Sequence, residues 1–287
     1  MKTIEHKQLS PAWSYNAGKE AMVWQLLFTD TNVLVGQKRL LAERKALFFA
    51  IDTLTGEQLC DNYLLLDADG NSAGEGWFTG IETTRGALAF CHAGYADSPE
   101  HQGIWAIDCK SGNTVWLKSD VAFVAHLSDA LLVAQTTLFG GFPERHFLLL
   151  DPLSGIPLSQ ELLTIEQANA LRSTARSEEE RQHVTLPDCV RSEELPDMMH
   201  LQQALAAKPF LLEMATSNAV TILAMHEQTN PSTLYNSWLY VWHNDTLLYS
   251  DCMEQNSERP CLNNFLMRDN RLYYSSAKSK LICVALP

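Results

Sequence analysis

Ile104–Leu117 reads IWAIDCKSGNTVWL: an apolar run closed by Asp108, a polar turn through Ser111 and Gly112, and a short second run carrying Trp116. Alone it is one β-hairpin. LFFAIDTLTGEQLC at Leu47–Cys60 and FLLLDPLSGIPLS at Phe147–Ser159 repeat it, with Asp52 and Asp151 in the slot of Asp108. Residues 52 and 108 lie 56 apart, and 108 and 151 lie 43 apart. WLYVWHNDTLLYS at Trp238–Ser250 has the same outline with His243 in the Asp slot, and KLICVALP at Lys280–Pro287 follows a further period on. Several strands per period, at periods near 40–50 residues, signal a propeller or a solenoid.

The residues before each hairpin choose the propeller. Two further strand-like runs precede it each time: Trp24–Phe28 and Val33–Gly36, Trp77–Ile81 and Ala87–Cys91, Val121–Ala125 and Leu131–Ala134, Phe210–Met214 and Val220–Met225, and Phe265–Met267 and Leu272–Tyr274. The turns between them hold Asp, Asn, Ser and Gly, which tolerate unusual backbone angles or bond their own backbone. Four antiparallel strands per unit make a propeller blade. The fifth unit is one strand short. LSPAWSYN near the N-terminus has the outline of that strand, with Trp13 in the place of Trp116. Pairing Ala12–Tyr15 with Leu281–Leu286 would remove the open edge of the ring. The expectation is an all-β, five-bladed β-propeller forming a single domain over residues 1–287.

Residues 160–208 interrupt the repeat after the third unit. IEQANALRSTARSEEERQ is rich in helix formers, and MMHLQQALAAK sets Met198, Leu201 and Leu205 in a stripe between Pro196 and Pro209. This predicts a helical insertion on one blade, with Ser177–Arg181 as a solvated charge run. A sixth, degenerate blade in this segment is the alternative.

WAIDCKSGNTVW and FFAIDTLTGEQL resemble the repeat of the quinoprotein alcohol dehydrogenases and the outer-membrane assembly propeller: an apolar strand, Ala-Ile-Asp, a Ser-Gly or Thr-Gly turn, and a strand often ending in Trp. The PQQ-like resemblance implies a propeller in which Asp and Gly shape the hairpin and Trp packs between blades. It does not extend to the quinone site, since the chain has no adjacent cysteines and too few blades.

Composition bounds the function. The formal net charge is −13, which repels phosphate backbones and anionic bilayers, so neither nucleic acid nor membrane is expected as a partner. The N-terminal residues show no export signal, and no apolar stretch is long enough to span a bilayer. The seven cysteines are odd in number and form no C-x-x-C pair. A cytoplasmic, bacterial-type protein with reduced thiols is expected.

Four connections between second and third strands are long: 38–46, 93–102, 136–145 and 227–236. Long loops on a rigid scaffold are where binding concentrates. They carry Arg39, Arg44, Tyr95, His101 and Tyr235, and the richest of them, TTLFGGFPERH, sets Phe139 and Phe142 about Gly140-Gly141, followed by Arg145 and His146. The two Phe either stand exposed for a ligand or fold back as a plug. His92, His146 and His226 flank three of these connections and would converge on one rim. The predicted ligand-binding set is therefore Phe139, Phe142, Arg145, His146, His92 and His226. DADGNSAGEGW, Asp67–Trp77, resembles the calcium loop of integrin-type propellers. That likeness implies oxygen ligands from Asp67, Asp69, Asn71 and Glu75, although Ser72 and Glu75 depart from the pattern and an acidic, Gly-rich connector explains the same residues. No other cofactor is suggested.

No G-x-S-x-G, H-E-x-x-H or P-loop occurs. Of the carboxylates on inner strands, Glu82 and Glu213 stand out as candidates for an axial pocket. Trp24, Trp77, Phe123, Phe210 and Phe265, at matching strand starts, are expected to fill the axis as core. The leading expectation is a non-catalytic propeller that binds a protein or small ligand on its long-loop face. The alternative is a hydrolase of a small or sugar-like substrate.

Overall fold

The computed structural model describes residues 8–191, 211–229, 233–244 and 246–287. The protein is all-β and divides into two compact units, residues 20–182 and residues 1–19 with 183–287. Strand β1 (Pro11–Asn16) comes first in the chain and belongs with the second unit.

In the unit of residues 20–182, strands β2 (Ala21–Phe28), β3 (Val33–Leu40), β4 (Lys45–Asp52) and β5 (Gln58–Tyr63) form one antiparallel meander. Strands β6 (Thr79–Arg85), β7 (Leu88–Tyr95), β8 (Ser98–Asp108) and β9 (Thr114–Lys118) form the next. Strands β10 (Val121–His126), β11 (Leu131–Phe139) and β12 (Phe142–Leu150) form a third, three-stranded sheet. Its expected fourth strand is reduced to single bridges, Leu150 with Pro157 and Phe147 with Leu163.

The repeated Asp acts as the sequence predicts, and the mechanism is visible three times. Asp108 Oδ1 accepts from the amides of Lys110 (3.0 Å) and Ser111 (2.7 Å), and Asp52 and Asp151 do the same two and three residues on. Gly56, Gly112 and Gly155 follow at φ of 77°, 70° and 68°, a region closed to most side chains. These turns also join neighbouring sheets. Trp116 on β9 donates its indole N–H to the Pro152 carbonyl (3.0 Å), and the Tyr63 hydroxyl meets Thr114 Oγ1 (2.8 Å). Between the sheets lie apolar seams, with Leu65, Ile81, Cys91 and Trp105 in one and Phe90, Ile104, Leu131 and Leu150 in the other.

Helices α1 (Ile165–Thr174) and α2 (Glu178–Gln182) follow. A Thr164–Gln167 capping box starts α1, each residue bonding the other's backbone. Ser177, Glu179 and Glu180 of the charge run are exposed as expected, but its end turns inward. Arg181 donates to Thr84 O and to Thr83 Oγ1 (3.1 Å), and buried Gln182 accepts from the Phe28 amide (2.8 Å). Helix α2 therefore supplies donors and acceptors to the first strands of two sheets.

In the other unit, β14 (Asp188–Val190), β15 (Leu211–Ser217), β16 (Val220–Gln228), β17 (Tyr235–His243) and β18 (Thr246–Ser257) form one five-stranded sheet. The second runs β1, β21 (Lys280–Ala285), β20 (Arg271–Ser276), β19 (Phe265–Arg268) and β13 (Val184–Thr185). The expected pairing of the N-terminal strand is present: Trp13 lies opposite Cys283 and Tyr15 opposite Leu281, with Trp13 buried against Tyr273 at 5.8 Å. Two expectations are corrected. The insertion is not purely helical, since β13 and β14 add an edge strand to each of these sheets. And His243 does not replace the repeated Asp in its turn. It pairs directly with Thr246, so a tight hairpin with Asn244 at φ 52° replaces the longer turn. The MMHLQQALAAK segment and Phe210 lie outside the described residues.

Of the four long connections, 38–46, 93–102 and 136–145 are mostly paired strand, and 227–236 includes residues outside the described ones. Paired strands run almost to their tips, as in β11 and β12, which stay in register from Leu131–Leu150 out to Phe139–Phe142 around Gly140-Gly141. Strand residues at these extensions are polar or exposed, which is why they read as loop. Among the described residues no helix is long and apolar enough to cross a membrane.

Candidate functional site

One bulge organises the site. On β6, Ile81 pairs with Cys91 and Thr83 with Phe90, so Glu82 has no partner of its own. A bulge turns its extra side chain off the regular alternation. On the facing side, β8 carries an extra residue against β7 at Gly103, whose φ of 71° suits glycine. The two irregularities bring Glu82 of β6, His92 of β7 and His101 of β8 together.

Glu82 Oε1 lies 2.9 Å from His92 Nδ1 and 2.6 Å from His101 Nδ1. The imidazoles stack with centroids 3.5 Å apart and planes 8° from parallel. His101 makes the aligned hydrogen bond. His92 Nδ1 is buried and makes none despite its nearness; an unsatisfied buried polar atom of this kind costs about 1–3 kcal/mol. Burial raises the Glu82 carboxyl pKa, but the two imidazoles lower it more, so it stays below the usual carboxylate range. Gly80 makes room for the stack, since a Cβ there would come within 2.7 Å of His92 Cε1. Gln25 holds the adjoining backbone from the neighbouring sheet, accepting from the Ile81 amide (3.0 Å) and donating to its carbonyl (2.6 Å).

The side chain of His92 is largely buried and that of His101 is half exposed. His101 opens onto a cleft of about 260 Å³ lined by Glu100, Phe123, Val124 and Arg145 among others. Arg145 pairs with Glu100 at 2.7 Å on its rim. Nearby in the same unit, the Arg39 guanidinium is sandwiched between Trp24 (4.1 Å) and Trp77 (4.8 Å), and burial lowers its pKa. Trp24 is thus not a core residue as expected: it is half exposed and serves as a stacking face. Phe265 is buried as predicted.

The other predicted residues scatter. Phe139 and Phe142 stand 78% and 77% exposed at the tip of the β11–β12 hairpin, so they are not a plug. His146 bonds Thr137 Oγ1 (3.0 Å) along that hairpin. His226 belongs to the other unit, fully buried between Ser237 Oγ (2.8 Å) and Glu213 Oε2 (3.1 Å). Glu213 also accepts from the Asn263 amide (2.9 Å), so neither group is open to a substrate. Asp67 Oδ1 accepts from the amides of Asp69 (2.9 Å) and Asn71 (2.8 Å), holding its own loop, and Glu75 sits at φ 56° in the turn that follows. Among the described residues, the group of three His, Cys, Asp or Glu ligand atoms that converges is Glu82, His92 and His101. Sequence reasoning had named all three but had not joined them, because strand alternation does not reveal bulges.

Residues 27–116, which carry this cluster, match the model of DUF4905, a domain of unknown function. The PQQ-like assignment remains a resemblance of the repeat alone. No curated protein matches the chain. Among solved structures the chain is similar to BBS1N in complex with ARL6DN (10% identity, 98% of each chain, TM-score 0.34). It is also similar to the β-propeller domain of the Trilobed protease from Pyrococcus furiosus (10% identity, 93% of this chain and 71% of that one, TM-score 0.28). A third is a putative glycosidase from Bacteroides thetaiotaomicron (8% identity, 100% and 96%, TM-score 0.32). Likeness at these scores carries no argument about activity.

Proposed function

We propose that the chain is a five-bladed β-propeller, closed through β1 and β21, that acts as a non-catalytic binding protein in the bacterial cytoplasm. The repeated Asp-Gly turns and consecutive meanders support the propeller. Five blades are favoured over six because β13 and β14 join existing sheets rather than forming one of their own.

The binding reading rests on the β11–β12 tip. Leu138, Phe139 and Phe142 are 76%, 78% and 77% exposed, three large apolar side chains flanking the two-residue Gly140-Gly141 turn. Clustered exposure of this kind marks an interaction surface. The tip is convex, whereas small ligands need concave sites, so the partner is a protein with an apolar groove that receives the hairpin. No nucleic acid, membrane or resident cofactor enters this reading. Parallel capture from the host with the wild type and with Phe139→Asp/Phe142→Asp tests it. The expected result is a specific partner lost by the variant at unchanged melting temperature; the same partners on both proteins would overturn it.

The cleft beside His101 supports a second reading, a hydrolase of a small or sugar-like substrate. Turnover of nitrophenyl glycosides that disappears in His101→Ala would replace the binding reading with this one. Calcium at Asp67, Asp69, Asn71 and Glu75 is tested by titration. Asp67 already accepts two amide hydrogen bonds, and no heat is expected.

A further inference from the structure

We propose that Glu82, His92 and His101 form a binding site for a divalent transition-metal cation of the zinc class. The inference stands apart from the hairpin tip and uses none of its residues.

Three features carry it. The ligand atoms are of the right kind: two imidazole nitrogens and one carboxylate oxygen suit zinc, cobalt and nickel, and are poor for calcium, which takes oxygen. They are already gathered, all within 4.8 Å of one another, with Oε1 at 2.9 Å and 2.6 Å from the two nitrogens. Ligand atoms on one cation at zinc's bond lengths of ~2.0–2.1 Å stand roughly 3 Å apart, and splaying the His101 ring out of its stack on His92, so that both lone pairs face one point, admits the ion. And one ligand atom is poorly served: His92 Nδ1 is buried 2.9 Å from Oε1 but makes no aligned hydrogen bond. Both ring nitrogens now converge on the one oxygen, Glu82 Oε1; a cation among the three atoms engages the lone pair of each.

The surroundings prepare the site. The bulge at Glu82, the missing side chain at Gly80 and the Gln25 brace fix the carboxylate and the His92 ring before any ion arrives. His101 is the half-exposed ligand on the solvent side. Three protein ligands leave a tetrahedral ion one position for water, opening toward the cleft beside His101.

The test uses the whole chain after treatment with a chelator and dialysis. Zinc chloride is titrated calorimetrically, and cobalt(II) chloride is followed by its visible absorption. One zinc per chain is expected, with intense cobalt bands of a four-coordinate ion and a rise in melting temperature. His101→Ala and Glu82→Gln should each weaken zinc at least tenfold and remove the cobalt bands. His146→Ala, an imidazole on the same unit outside the cluster, should change neither. His101 is exposed enough for its variant to fold, which a matching circular dichroism spectrum checks. Absence of heat and of any melting shift at millimolar zinc overturns the proposal. So does binding that survives both ligand variants, which would place the ion elsewhere.

Discussion

Gly155 lies against the indole of Trp116 with no room for a methyl group: a Cβ there would sit 2.7 Å from Cδ2 and 2.8 Å from Cε3. The glycine belongs to the turn of one sheet and the tryptophan to the last strand of the sheet before it. One residue thus satisfies the backbone angle of the turn and the packing between sheets.

Gly155→Ala should therefore cost about 1–3 kcal/mol, from positive φ and overpacking together. Urea unfolding should show a lower midpoint at unchanged slope. Pairing it with Trp116→Ala removes the steric part and leaves the φ part, so the two changes should be strongly coupled. Gly140 has a similar φ of 58° but open space around it, so Gly140→Asn should be close to neutral.

His126 sets an acid limit. Its Nδ1 bonds Thr83 Oγ1 at 2.7 Å. Burial, then the charges of Arg181 and Arg85, push its pKa down to about 4, with Asp30 opposing them. The folded chain thus resists a proton that the unfolded chain takes up near pH 6.5. Stability from this group is complete above pH 6.5 and falls as pH drops from there toward 4, by roughly 1–3 kcal/mol. Melting temperatures across that interval should decline, and the decline should be shallower in His126→Gln.

Ser237, His226 and Glu213 stand in the order of a hydrolytic triad, yet all three are fully buried. Their role is to satisfy one another inside the sheet and to anchor Cys261 and Asn263, whose amides donate to Ser237 Oγ (3.3 Å) and Glu213 Oε1. A fluorophosphonate probe should leave Ser237 unlabelled in the native protein. His226→Ala should destabilise by about 2–4 kcal/mol, because it opens a cavity and leaves Ser237 Oγ and Glu213 Oε2 without their buried partner.

Thiol reactivity should separate the seven cysteines. Cys189 is exposed, while burial raises the pKa of Cys91 far above its usual range and pushes Cys109 and Cys261 up to about 12. The thiolate is the reactive form. Labelling with a disulfide reagent at pH 8 should modify Cys189 first, with Cys91, Cys109 and Cys261 reacting only on unfolding.

The repeat was readable because its chemistry is local. Asp52, Asp108 and Asp151 each bond amides two and three residues away, so spacing within six residues carried the information. The edge strand around Trp13 was readable because alternation of buried Trp13 and Tyr15 with exposed neighbours marks a half-buried strand. The site was not. Glu82 and Gly103 occupy places where alternation breaks; Gly103 is the kind of residue a bulge selects, but nothing in the type of Glu82 marks its bulge. His101 was read as loop because the extended hairpins are too exposed to alternate. Arg181 was misread for another reason: a charged residue that bonds a backbone carbonyl across 97 residues looks, in sequence, like any surface charge.

The pairing of β1 with β21 has a mechanical consequence. The strands are antiparallel, with Pro11 opposite Val284 and Asn16 opposite Lys280, so the chain enters and leaves at the same end of the pair. A force applied through the two ends would peel this ladder one rung at a time instead of loading its rungs in parallel. The seam that joins the beginning of the fold to its end is thus the weakest direction in which to pull it, however well Trp13 and Tyr15 bind it at rest.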